Sequence, residues 1–150
     1  MIKTLALAAI AAGTLTTGTL FAAPAFAQSV GNCPTAGSAA NPQATWVLFD
    51  LGSAALRPEA KPTIAQAVAT AKARQAVKIC VVGQTDKLGD KNYNAKLAMA
   101  RSQAVANQLV HDGFPAKNVI IASNPEAFGN ISFGEKNAQE KDRRVTIVFR

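Results

Sequence analysis

Histidine is nearly absent from this chain: His111 stands alone among 150 residues, and the only cysteines are Cys33 and Cys80. One histidine and two scattered cysteines cannot make the clustered ligand sets of a structural zinc site or a Cys-His pair. No nucleophilic serine motif is present, and no internal repeat. Acidic residues are scarce, 9 against 16 Lys and Arg, which gives a formal charge of +7. Long apolar runs are missing too. The N-terminal apolar stretch is diluted by Gly13, Thr14, Thr16, Thr17 and Gly18, which argues against a spanning helix.

What that stretch does carry is an export signal. Lys3 supplies a positive start, Leu5 to Ala12 and Leu20 to Ala23 are apolar, and Ala25-Phe26-Ala27 is a small-x-small cleavage site. Residues 1–27 are therefore expected to be a signal peptide cleaved after Ala27, which places the protein in the periplasm or cell envelope, with outer-membrane association left open. Gly31-Asn32 before Cys33 is not the small apolar run that lipidation requires. Residues 28–43, rich in Gly, Pro, Ser, Asn and Ala, read as a flexible lead-in. In an oxidising compartment the two cysteines suggest a Cys33–Cys80 bridge, with a buried free Cys80 as the alternative. Removing Lys3 lowers the charge of +7 by one, to +6. That charge fits an anionic partner such as a cell-wall polymer or a membrane surface, or a merely solvated basic face; export argues against nucleic acid.

Residues 44–150 suffice for one domain with a core. Ala44 to Asp50 reads as a strand, and Leu56 as an apolar plug in the connection after it. A helix is expected from Glu59 to Arg74, with Ile64, Ala67, Val68 and Ala71 at core spacing and Pro62 tolerated in the first turn. Val77 to Val82 is a β-branched strand. A second helix runs from about Asn92 to Asp112, stopped by Gly113 and Pro115. Val119 to Ala122 and Arg143 to Phe149 are strands, separated by a long polar segment, Ser123 to Asp142. The order β-α-β-α-β-β predicts an α/β (α+β) sandwich, a mixed sheet with two main helices on one face.

The most informative stretch is Gly83-Gln84-Thr85-Asp86 and the helix after it. At 100° per residue, Leu97, Ala100, Ala104, Val105 and Leu109 share one arc. Asn94 and Arg101 fall inside that arc. A guanidinium there needs a partner, since an unpaired buried charge is costly, and Asp86 is the expected one. A carboxylate and a guanidinium facing one crevice suit a ligand carrying both an ammonium and a carboxylate.

Val47-Leu48-Phe49-Asp50, Ser53, Leu56, Gly83-Gln84-Thr85-Asp86, Gly89, Tyr93-Asn94, Leu97, Ala100-Arg101 and Arg143-Arg144-Val145, in this order and spacing, resemble the OmpA-like C-terminal domain of the OmpA/MotB peptidoglycan-binding family. The resemblance spans Thr45 to Arg150. It implies non-catalytic binding of the peptidoglycan peptide stem through diaminopimelate, anchoring this protein or a partner to the wall, with no cofactor and no metal. In that family pattern Asp86 holds the ammonium of diaminopimelate and Arg101 its carboxylate. Asn94 and Arg143 line the pocket, and Thr85 and the Asp50 to Ser53 loop contribute at its edge. Two positions depart from the pattern: Gln84 replaces a usual histidine, and Gly52 stands where a polar side chain is frequent.

Rival readings remain for single residues. Asp86 with Arg101 could be an ion pair that only fixes the loop, and Asn94 could bond locally. Arg143 could be an edge-strand charge, Arg144 a solvated residue on the other strand face, and His111 a favourable charge at a helix end. Asp50 and Asp86 could in principle serve as a glycosidase carboxylate pair, but without supporting motifs no enzyme is expected. A third class is an adaptor that holds other outer-membrane or periplasmic proteins, with Ser123 to Asp142 as its surface. The export reading has a direct test. Mass spectrometry of the exported protein is expected to find Gln28 at the N-terminus and no lipid on Cys33; a retained N-terminus or a diacylglyceryl adduct would overturn it.

Overall fold

The computed structural model describes residues 29–31, 33, 44–86, 89–124 and 140–150. The expected signal peptide, much of the lead-in and residues 125–139 lie outside these. Five strands form one mixed sheet: β1 (Ser29–Val30), β2 (Thr45–Leu48), β3 (Ile79–Gly83), β4 (Val119–Ser123) and β5 (Arg144–Phe149), in the order β1-β4-β3-β5-β2. β4 is parallel to β3 and β1 to β4, whereas β5 is antiparallel to both β3 and β2. Helices α1 (Ala60–Ala73) and α2 (Lys91–His111) complete the α/β fold expected from the element order.

Alternation decides which strand residues face the helices. Val47, Phe49, Ile79, Val81, Val119, Ile121, Val145 and Ile147 join Ile64, Val68, Val105 and Leu109 in one buried cluster. Cys80, Val82, Thr146 and Val148 point to the other face and are buried as well. Cys33 is bonded to Cys80 on that far face, with the two Cα atoms 5.8 Å apart. The short β1 lies inside the stretch read from composition as flexible. Ser29 and Val30 pair with Ile120 and Ile121 through the backbone, which composition does not register.

Both helix ends follow local chemistry. Asp90 caps α2, its carboxylate accepting from Tyr93 N at 2.9 Å, so the helix starts slightly earlier than the apolar pattern suggests. At the other end Gly113, with φ +94°, donates to Val110 O while Phe114 N donates to Leu109 O, and Phe114 tucks into the core. α1 ends in the same way with Gln75 at φ +55°.

The buried face of α2 differs from the arc drawn on the sequence. It comprises Asn94, Ala98, Arg101, Ser102, Val105, Ala106 and Leu109, while Ala100 is exposed and Leu97 and Ala104 are half-buried. The reason is close packing, since small residues let the helix backbone settle onto β3. Ser102 Oγ donates to Ala122 O at 2.8 Å. A Cβ on Gly83 would stand 2.0 Å from Ala98 O and 2.5 Å from Ser102 Oγ. Gly83→Ala must therefore push α2 off the sheet. The expected loss is about 3 kcal/mol, read as a lower denaturation midpoint; an unchanged midpoint would show that this contact does not set the helix position.

Candidate functional site

The register brings the C-terminal ends of β2 and β3 to the same edge of the sheet as the start of β5: Gly83 pairs with Val145 and Leu48 with Arg144. The loop after β2, the loop after β3, the first turns of α2 and the residue before β5 therefore converge at one pole. Between them lies a crevice of about 190 Å³ lined by Leu51, Gly52, Asp86, Tyr93, Asn94, Leu97, Arg101 and Arg143.

Arg101 is fully buried at the back of the crevice. Its Nε donates to Ser53 O at 2.8 Å, one Nη to Asp50 O at 2.9 Å and the other to Gln84 O at 3.1 Å. Its guanidinium carbon lies 5.3 Å from the centroid of the Phe49 ring. This corrects the expectation that Asp86 neutralises Arg101 by direct pairing. Three backbone carbonyls hold the cation, and they do so because the chain turns at Asp50–Ser53 and at Gln84 leave carbonyls aimed inward. Burial lowers the pKa of Arg101, the charge of Asp86 raises it, and Arg143 adds a further lowering. Three of the five guanidinium N–H groups serve the loops, which leaves one on each Nη.

Asp86 pairs instead with Arg143, whose Nη1 is 3.6 Å from Oδ2. That distance is too long for a hydrogen bond, and Oδ2 is buried without a hydrogen-bond partner among the described residues. Arg143 Nε donates to Phe49 O at 3.3 Å, and Asn94 Nδ2 donates to the Asp86 carbonyl at 3.3 Å. The crevice thus carries one anion flanked by two cations, with Asn94 beside them.

Of the residues singled out from sequence, Gly52, Asp86, Asn94, Arg101 and Arg143 line the crevice, while Thr85 is buried beside it without lining it. The Asp50 carboxylate is directed elsewhere: Oδ1 accepts from Nε and Nη2 of Arg57 at 2.9 and 2.6 Å. Asp50 serves the site through its carbonyl. Arg57 also donates to Glu140 at 2.8 Å, so it ties the loop after β2 to the segment preceding β5. Gly52 has φ +65°, a conformation that side chains resist, which accounts for glycine at that position. Its carbonyl accepts from the Tyr93 hydroxyl at 3.5 Å.

Sequence reasoning missed Arg57, named Leu51 only as part of the Asp50 to Ser53 loop, and assigned Tyr93 no role of its own. For Tyr93 the signal was present, since Tyr93 and Leu97 are four apart on the face that carries Asn94 and Arg101. Arg144 is corrected as well. It is on the opposite strand face but buried, donating to Gln84 Oε1 at 2.8 Å and stacking 4.5 Å from the Trp46 ring centroid. Gln84, which departs from the usual histidine, is thereby bound to the far face and not to the crevice.

The OmpA family model matches residues 48–146. Outer membrane protein P5 of Haemophilus influenzae is 30% identical over 102 residues, covering 68% of this chain but 28% of that protein. The outer-membrane lipoprotein YfiB of Pseudomonas aeruginosa is 30% identical over 106 residues, covering 68% of this chain and 61% of its own length. In structure, the peptidoglycan-associated lipoprotein of Burkholderia pseudomallei superposes with a TM-score of 0.61 at 22% identity, over 71% of this chain and 90% of that one.

Arg101 is bonded to three carbonyls, and of these only Asp50 O has a second donor, Ser53 N at 3.2 Å, so its removal leaves the carbonyls of Ser53 and Gln84 without a partner among the described residues. Each carbonyl left unpaired in the interior costs about 1–3 kcal/mol. Arg101→Ala is expected to lower the melting temperature by roughly 15 °C, from a loss of about 4 kcal/mol. A shift of under about 3 °C would mean that the guanidinium is not what holds the loops.

Proposed function

Since the chain belongs to the OmpA family, we propose that its crevice binds the peptide stem of peptidoglycan and anchors the protein, or a partner it carries, to the cell wall in the envelope. The observation that carries this reading is the Asp86 carboxylate, buried beside Arg143 and Arg101 with one oxygen that has no hydrogen-bond partner among the described residues. Desolvating such an oxygen is costly unless a donor arrives, and an ammonium group is the donor its charge favours.

Two cations flank that anion, so the pocket retains a net positive charge once the ammonium is matched. A carboxylate on the same ligand satisfies it, through Arg143 at the rim and the remaining N–H groups of Arg101 behind. The end of a diaminopimelate side chain offers an ammonium and a carboxylate on one carbon, a geometry that spans a short gap between acid and base. Asn94 and the Gly52 backbone supply neutral hydrogen bonds at the edge, and Tyr93, Leu97 and Leu51 supply apolar walls. Nothing in this arrangement calls for a reacting group, and the proposed role is binding.

Asp86→Asn keeps the shape and removes the charge. Losing one charge-assisted bond of about 1.5–3 kcal/mol should weaken co-sedimentation with purified sacculi at least about tenfold. Because Asp86 Oδ2 accepts no hydrogen bond among the described residues, the melting temperature should stay within about 3 °C of wild type. Free diaminopimelate should compete with sacculi for the wild-type protein. Undiminished binding by the variant, or indifference to the competitor, would remove the assignment of this pocket.

A further inference from the structure

The pole opposite the crevice is built from the other ends of the same elements, and among the described residues its charge is mostly positive. Lys72 and Arg74 lie at the end of α1, Lys78 just before β3, Lys117 in the turn before β4 and Arg150 just after β5; all are exposed. The ladder gathers them. Lys78 and Arg150 exchange backbone hydrogen bonds at 2.9 Å, Ile79 pairs with Val119 two residues beyond Lys117, and Arg74 lies over the Phe149 ring at 5.9 Å. The Lys72 ammonium reaches the end of α2, close to Gly113. Among the described residues Asp112 is the one acid at this pole, and it is engaged by Gln108 and His111 at 2.8 and 3.1 Å. Asp50, Glu59, Asp86, Asp90, Glu140 and Asp142 all belong to the crevice pole.

We propose that this basic pole is a docking surface for an anionic lipid bilayer. Three features favour lipid over a polyanionic chain. The surface is a ring of turn ends and not a groove that would track a polymer backbone. An apolar side chain, Val77, stands 67% exposed between Arg74 and Lys78, the combination that suits a headgroup boundary. The chain also enters the sheet at this pole, because β1 runs parallel to β4 and Ser29 lies beside Ile120 near the start of β4. The five residues of β3, at about 3.3 Å each, hold the two poles roughly 15 Å apart. A bilayer on one pole therefore leaves the crevice open on the other.

The test is co-flotation of the exported chain with vesicles of phosphatidylcholine alone and of phosphatidylcholine with phosphatidylglycerol in equal parts, at low and high salt. Binding is expected only to the anionic vesicles and is expected to be lost at high salt, since the attraction is screened within about 10 Å at moderate ionic strength. A Lys72→Gln, Lys78→Gln, Lys117→Gln variant should bind those vesicles roughly a hundredfold more weakly, at about fivefold per charge. A Lys61→Gln, Lys96→Gln, Lys141→Gln variant of equal net charge should lose far less, and both should melt like wild type. Equal losses in the two variants would reduce the effect to net charge and overturn the proposal. So would absence of any preference for anionic vesicles, or stronger binding to a DNA duplex at the same salt. Asp86→Asn is expected to float with wild type, which separates this surface from the crevice; its failure to do so would place the lipid at the crevice and end the proposal.

Discussion

The arrangement of this domain depends on one buried cation. Arg101 projects from the middle of α2 into a space where three carbonyls, from Asp50, Ser53 and Gln84, point inward. Without it the carbonyls of Ser53 and Gln84 would be left unpaired, Asp50 O would keep only its bond from Ser53 N, and the two loops would have no common anchor. With it, the loop after β2 and the loop after β3 are fixed to one helix, and their edges form the walls of the crevice. The charge at the back of the crevice is thus also a structural charge, so on the proposed binding role affinity and stability would be coupled at this residue and separable at Asp86.

Placing that cation requires the helix to lie close to the sheet, and small residues make this possible. Gly83 has no side chain to oppose Ala98 O, and Ser102 bonds across to β4. The same contact fixes the position of Asp86 three residues beyond Gly83. Outside this shell Arg57 performs a second joining role, holding Asp50 and Glu140 so that the crevice is flanked by segments tied together across the sequence. Exposed ion pairs contribute little to stability individually. The importance of this one lies in which segments it connects.

Much of the fold was legible because its signals are local. Strand runs and the stop at Gly113 are short-range chemistry, and they place the elements within a few residues, while the cap at Asp90 starts α2 slightly ahead of the apolar pattern. The site was legible as a set of residues, since Asp86, Asn94, Arg101 and Arg143 do converge. How they connect was not. Arg101 takes backbone carbonyls as partners, and carbonyls carry no sequence identity. The Asp50 carboxylate is drawn away by Arg57, seven residues on, and by a network that extends to Glu140, a spacing that no periodicity marks. The helix face was misjudged by about one residue because Ala98, Ser102 and Ala106 are small, and an apolar arc drawn by size overlooks the residues that allow closest approach.

The bond between Cys33 and Cys80 belongs to the same logic on the other side of the sheet. Cys80 alternates with Ile79 and Val81 on β3, so its sulfur faces away from the helices, and the chain from β1 crosses β4 to reach it. Closing a loop of sequence separation 47 removes unfolded-chain entropy worth about 4 kcal/mol in the loop-closure account. The two-residue β1 could not secure itself by backbone pairing alone. Pinned to the central strand, it gives the chain a fixed point of entry at the basic pole while the crevice stays at the opposite end. The sheet therefore transmits position between the two ends of the domain: whatever holds the N-terminal segment and whatever fills the crevice are joined by a single strand, β3, which carries Cys80 within it and delivers Asp86 just past its end.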